Sequence, residues 1–83
     1  MEVIITKQAE REWKRLPKAI QARLKTKLLF FADQTNPLIF AKRLVNSEYG
    51  EYRFRIGDYR IIIDVKNDTM FVLKVGHRKE IYQ

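Results

Sequence analysis

Glu51-Tyr52-Arg53-Phe54-Arg55-Ile56-Gly57-Asp58-Tyr59-Arg60-Ile61-Ile62-Ile63 is the stretch on which the fold of this chain turns. Tyr52, Phe54 and Ile56 alternate with Arg53 and Arg55, the period-two pattern of a half-buried strand. Gly57-Asp58 is a two-residue turn with glycine first, which suits a β-hairpin. Such a turn pairs Ile56 with Tyr59 and Arg55 with Arg60. Residues directly opposite share a face of the sheet, and Arg53, two positions from Arg55, shares it too. Phe54 and Ile61 meet on the other face, where helices can cover them. Like charges placed opposite each other cost up to about 1 kcal/mol. Three arginines gathered on one face therefore point to an anion that they hold, against the competing reading of a solvated face whose charges pair locally.

The pattern continues on the C-terminal side. A second strand runs from Tyr59 to Lys66, Asn67-Asp68-Thr69 reads as a three-residue turn, and Met70 to His77 reads as a third strand. That loop pairs Lys66 with Met70 and Ile62 with Lys74. Phe71, Leu73 and Val75 then join Ile61, Ile63 and Val65 in the core. A two-residue loop shifts the register by one and flips the last strand. The longer loop is preferred because it buries Phe71, Leu73 and Val75 together. Lys74 then falls on the arginine face and Arg78 continues the row. Glu51 and Asp64 lie opposite each other on that face and partly neutralise Arg53.

On the N-terminal side, Met1 to Thr6 is short, apolar and β-branched, and reads as a strand. Thr6 is placed as an N-cap. Ala9, Trp13 and Leu16 follow at helical spacing, and Pro17 ends that helix. Ile20, Leu24, Leu28 and Phe31 make one apolar stripe on a second helix over 17–33. Residues 34–37 are a turn, and 38–49 read mostly as loop. The order is β-α-α-β-β-β: an α+β fold with a helical hairpin packed on a mostly antiparallel four-stranded sheet, one domain over 1–83.

Composition narrows the function. A chain of 83 residues is near the lower limit for an unaided core, and with no cysteine it has no disulfide to help. A 46% hydrophobic content excludes disorder. No apolar run approaches the ~20 residues of a membrane span, and Met1-Glu2-Val3-Ile4-Ile5 lacks a signal peptide's basic start, so a cytoplasmic protein is expected. One histidine and scattered carboxylates make no metal-ligand set, so no metal or other cofactor is expected. A net charge of +7 favours a polyanionic partner.

Residues 51–63 resemble the central segment of RelE-type toxins, and Val75-Gly76-His77-Arg78-Lys79-Glu80-Ile81-Tyr82 resembles their ending. Leu16-Pro17 before an amphipathic helix and Lys42-Arg43-Leu44 before the hairpin are similar too, so the resemblance to the RelE/ParE superfamily spans the chain. It implies a type II toxin with a cognate antitoxin that wraps it, and operator DNA bound only through that complex. For the RelE branch, which Gly76-His77-Arg78 and Ile81-Tyr82 favour, it implies metal-free cleavage of mRNA in the ribosomal A site. It assigns catalysis to Arg55, Arg60, Arg78 and Tyr82. RNA binding falls to Arg53, Lys42 and Arg43, with Lys74 joining them from the strand pairing. Phe30 and Phe40 are expected to be exposed and to form part of the antitoxin interface.

The general base is the gap in this reading. Some family members carry lysine where this chain has Arg53 and Arg55, and arginine is too firmly protonated to act as a base. Alternation points His77 away from Arg78 and marks it as structural. Glu51 and Glu80 are the remaining candidates. Two other functions stay open: a gyrase inhibitor of the ParE branch, and a non-catalytic partner-binding or regulatory module.

Overall fold

A computed structural model describes residues 1–82 as a helical hairpin on one five-stranded sheet. Along the chain come β1 (Glu2–Ile5), α1 (Lys7–Lys14), α2 (Lys18–Ala32), a 3₁₀ helix (Pro37–Phe40), β2 (Ala41–Arg43), β3 (Tyr52–Ile56), β4 (Tyr59–Lys66) and β5 (Thr69–His77). The strand order is β1-β5-β4-β3-β2. β2 to β5 pair antiparallel, whereas β1 lies parallel to β5, with Glu2 in register with Thr69 and Ile5 with Val72.

The helix boundaries follow from local chemistry. The Thr6 hydroxyl accepts a hydrogen bond from the Ala9 amide (3.3 Å) and donates one to the Val72 carbonyl (2.9 Å), so one side chain caps α1 and ties it to β5. Pro17 stands immediately before α2, and its carbonyl accepts the first helical bond from the Gln21 amide (2.9 Å). The Gln21 side chain donates to the Leu16 carbonyl (2.8 Å) and closes the corner between the helices. Leu24, Leu28 and Phe31 of α2 are buried against Phe54, Ile56, Ile61, Ile63, Met70, Val72 and Val75 of the sheet. An aromatic stack runs outward from this core: Phe54 to Phe31 at 4.7 Å and Phe31 to Phe40 at 4.9 Å.

Two expectations are corrected. The sheet has five strands, because Ala41–Arg43 pairs with Tyr52–Phe54 as an edge strand. Three residues are too few to show alternation, and only the long-range pairing makes them a strand. The second hairpin turn has two residues, not three: Asn67 and Asp68 both adopt positive φ (51° and 62°), and Lys66 is in register with Thr69. Met70 and Val72 therefore enter the core, while Phe71 and Leu73 go to the opposite face. A β-bulge then leaves Leu73 unpaired, since Ile63 is in register with Val72 but Ile62 with Lys74. The bulge restores the expected pairing for the rest of β5, so Val75 is buried opposite Ile61.

The left-handed conformation costs a non-glycine residue about 1–2 kcal/mol. Asp68→Gly removes that cost but adds unfolded-chain entropy of about 0.5–1 kcal/mol. A net gain of about 0.5 kcal/mol is expected, read as a rise of about 2–4 °C in the thermal unfolding midpoint.

Candidate nucleic-acid interface

On the sheet face away from the helices, the register aligns side chains in rows. Lys42, Arg53, Ile62 and Lys74 lie side by side across β2, β3, β4 and β5. The next row holds Arg55, Arg60 and Gly76. Ile62 is fully buried although it faces away from the helices, because the loop before β3 crosses it. At Gly50 the backbone comes so close that an added Cβ would lie 2.6 Å from Ile62 Cγ2, which explains glycine there.

Arg60 is held by its own hairpin: Nη1 donates to the Gly57 carbonyl (2.9 Å) and the Tyr59 carbonyl (3.0 Å). Gly57 has the positive φ (59°) that the turn requires. Burial lowers the Arg60 pKa from its ordinary value, and the charges of Arg55, Arg53 and Arg78 lower it further, against a smaller opposing pull from Asp58. Arg78 reaches the same turn, its amide donating to the Asp58 carbonyl (2.7 Å) and its Nε lying 3.7 Å from Asp58 Oδ1. Arg55 thus stands directly opposite Arg60, Arg53 lies one row away on the same face, Arg78 reaches the adjoining turn, and the charges of all three bear on Arg60. Among the described residues Arg53, Arg55 and Arg60 have no carboxylate at ion-pair distance. The Arg53 Nε is buried and has no hydrogen-bond partner there, a donor that awaits an acceptor.

The expected neutralisation of Arg53 by Glu51 and Asp64 does not occur. Asp64 Oδ1 accepts from the Glu51 amide (2.8 Å) and Glu51 Oε1 from the Val65 amide (3.0 Å). Both carboxylates serve backbone donors where the β3–β4 pairing begins. The unrelieved repulsion has a measurable consequence. Arg55 stands directly opposite Arg60, so Arg55→Gln should stabilise the fold by up to about 1 kcal/mol. At low ionic strength, thermal unfolding should show a higher midpoint for the variant and a smaller further rise on adding phosphate than in the parent.

The C-terminal segment folds back over this face. Ile81 is buried and packs over Gly76, its Cδ1 3.6 Å from where a Cβ of that glycine would stand. The Glu80 and Ile81 amides donate to the His77 carbonyl (2.9 and 3.0 Å) and form the turn. Tyr82 is exposed, and its ring centroid lies 5.1 Å from that of Tyr49, whose hydroxyl donates to the Tyr82 carbonyl (2.9 Å).

Of the residues singled out from sequence, Arg53, Arg55, Arg60 and Arg78 come together, with Lys42 in the Arg53 row and Tyr82 held beside Tyr49. Lys74 shares the face, but its ammonium lies 5.5 Å from the centre of the Tyr49 ring and 4.0 Å from Glu12 Oε2. Arg43 is in register with Tyr52, on the helix side of the edge strand and away from the arginines. His77 is opposite Tyr59, with the rings edge to face at 5.5 Å, and its Nδ1 accepts from the Lys79 amide (3.1 Å). It too is turned from the cluster. Phe30 and Phe40 are exposed, alongside Leu29 and Ile39. Sequence reasoning does not find Tyr49 or Glu12. Tyr49 lies in a segment without periodicity, and Glu12 is one polar residue among several on an amphipathic helix.

Among the described residues no group of three or more His, Cys, Asp or Glu side chains is placed to hold a metal ion, and no helix is long and apolar enough to cross a membrane.

Comparison with known proteins places the fold in a family. The family described as the ParE toxin of the type II toxin–antitoxin system parDE matches residues 3–82. The chain is 33% identical over 85 residues to "Toxin RelE3" of Methanocaldococcus jannaschii, covering 99% of this chain and 96% of that protein. It is similar in structure to a chain of the RelBE2 toxin–antitoxin complex of Mycobacterium tuberculosis, with a TM-score of 0.77, 29% identity, and 93% of this chain and 96% of that one covered. The RelB–RelE complex of Methanococcus jannaschii gives a TM-score of 0.74 at 28% identity, covering 95% and 94%. With its fold and its relatives in agreement, the chain belongs to the RelE/ParE superfamily, as the toxin of a type II toxin–antitoxin system.

Proposed function

We propose that this toxin is a ribosome-dependent, metal-independent endoribonuclease that cuts mRNA in the A site and so inhibits translation. The supporting observation is the cluster of Arg53, Arg55, Arg60 and Arg78, three of which lack a carboxylate partner among the described residues. In the proposed reaction the RNA 2′-OH attacks the adjacent phosphorus and the bond to the 5′-oxygen breaks. The departing 5′-oxygen takes up a proton from water, and the products are a 2′,3′-cyclic phosphate and a 5′-OH. Negative charge grows on the phosphate oxygens, and preorganised guanidinium groups stabilise it without a metal. Arg60 and Arg78 take this role, with Arg55 beside them. Tyr82 stacks on a base next to the scissile phosphate, and Arg53 and Lys42 bind the flanking backbone. Arg43 adds charge at the sheet edge.

His77 and Glu51 are engaged elsewhere, and Glu80 lines a cleft with Glu12, Arg15 and His77 rather than with the clustered arginines, so the 2′-OH proton passes to water or to a ribosomal group. Catalysis then rests on positioning and electrostatics, and free RNA is a poor substrate. The partner is a cognate antitoxin, seated in part on the exposed Phe30 and Phe40. Operator DNA is reached only through that complex, and both act in the cytoplasm.

The match to a family described as ParE favours a second reading, gyrase inhibition. The two separate when purified protein is added to a cell-free translation reaction and, in parallel, to a gyrase supercoiling assay. Translation arrest with supercoiling intact supports the nuclease. Loss of supercoiling with translation intact would support gyrase as the target, and no effect in either assay a non-catalytic module.

A further inference from the structure

We infer that Glu12 and Lys74 form a positioning pair that, through Tyr49, holds Tyr82 in place on the open sheet face, and that Lys74 is a strut rather than a phosphate contact. The starting point is an unfinished sheet edge. β1 pairs with β5 only from Thr69 to Val72. The bulge at Leu73 follows, and beyond it β1 offers the β5 amides nothing. Glu12 of α1 fills that place: its Oε1 accepts from the Val75 amide at 3.1 Å. Its other oxygen lies 4.0 Å from Lys74 Nζ and accepts from the Gln8 side chain at 3.4 Å. One carboxylate therefore caps the open edge and holds the lysine.

The Glu12 and Lys74 side chains keep only 23% and 16% of their exposure, so bulk salt screens the pair less than a surface pair. The ammonium also faces the Tyr49 ring, 5.5 Å from its centroid, within range of a cation–π contact. Tyr49 in turn grips Tyr82 through its hydroxyl (2.9 Å) and its ring (5.1 Å). A continuous path runs from α1 to the C-terminal tyrosine: Glu12, Lys74, Tyr49, Tyr82. Moving Lys74 to a phosphate would strand Glu12 without its cation and withdraw support from Tyr49. Lys42, in the same row, is exposed with no such attachments and is the natural phosphate contact.

The positioning role in cleavage rests on the proposed nuclease function, but two of three readouts do not. Lys74→Met, Glu12→Gln and Lys42→Met are compared with the parent. The first readout is the Tyr82 ring resonances by NMR. The second is the salt dependence of binding to a single-stranded RNA oligonucleotide, where each phosphate contact removed flattens the log–log slope by about 0.7. Lys74→Met and Glu12→Gln should move the Tyr82 signals and leave the slope unchanged, whereas Lys42→Met should flatten it. Cleavage of ribosome-bound mRNA should lose about tenfold in kcat, with KM unchanged, in Lys74→Met, and Lys74→Arg should recover it. If Lys74→Met does not fold, Tyr49→Phe, which deletes only the hydroxyl on the Tyr82 carbonyl, should move the same signals. A slope flattened by Lys74→Met as by Lys42→Met, with Tyr82 unmoved, overturns the inference. Failure of the nuclease reading shows instead as no cleavage by the parent, and the first two readouts still decide the role of Lys74.

Discussion

Arg60→Ala should lower the rate of mRNA cleavage by about 10²–10³-fold, the usual cost of removing one preorganised donor from a charge-stabilising site, while the protein stays folded. In the folded chain the substitution removes two hydrogen bonds to carbonyls of the Arg60 hairpin itself. Against them stands relief from Arg55, Arg53 and Arg78, whose charges already depress the Arg60 pKa. The net change in stability is therefore small, and the loss is chemical. Arg60→Lys should recover little, since an ammonium cannot make the paired, planar contact that a guanidinium makes to a phosphate. Single-turnover cleavage of ribosome-bound mRNA, with circular dichroism as the folding control, checks both variants.

Phe54→Ala should abolish toxicity by a different route. Phe54 is fully buried between Arg53 and Arg55 on β3 and stacks on Phe31 at 4.7 Å. Truncating such a ring costs about 3–5 kcal/mol. A chain of this length has about 4–12 kcal/mol in all, so a large part of the population unfolds. Urea titration should show the midpoint falling sharply, and soluble protein in cells should fall with it. Arg60→Ala keeps its soluble level. The two variants separate loss of chemistry from loss of fold, although both positions sit on one hairpin.

Much of this was legible in the sequence because the deciding signals are local. Gly57-Asp58 fixes a two-residue turn, and from that turn the opposition of Arg55 and Arg60 follows by counting. Thr6 as a cap and Pro17 at a helix boundary are likewise short-range chemistry. What escaped depends on contacts distant in sequence. β2 is a strand only because Tyr52–Phe54 pairs with it. The bulge at Leu73 reconciles a two-residue turn with the pairing of Ile62 and Lys74, and no period in the sequence marks it. Preferring to bury Phe71 and Leu73 put the wrong face inward at the Asn67-Asp68 end. Asn and Asp tolerate positive φ, and that tolerance makes the shorter turn accessible. In the site, the arginines follow from alternation, but Tyr49 and Glu12 join it only when a loop and a helix are folded onto the sheet. The parallel placement of β1 beside β5 is of the same kind: a strand separated from its partner by the whole chain shows no local sign of where it will pair.

Whether the arginine cluster cuts RNA on the ribosome is decided by mapping mRNA 5′ ends by primer extension in a reconstituted translation reaction, with and without ribosomes, beside an Arg60→Ala/Arg78→Ala control. New ends are expected within codons, present only with ribosomes and absent in the control. Intact mRNA in the presence of folded, growth-inhibiting protein, or the same new ends from the double variant, would contradict cleavage by the cluster.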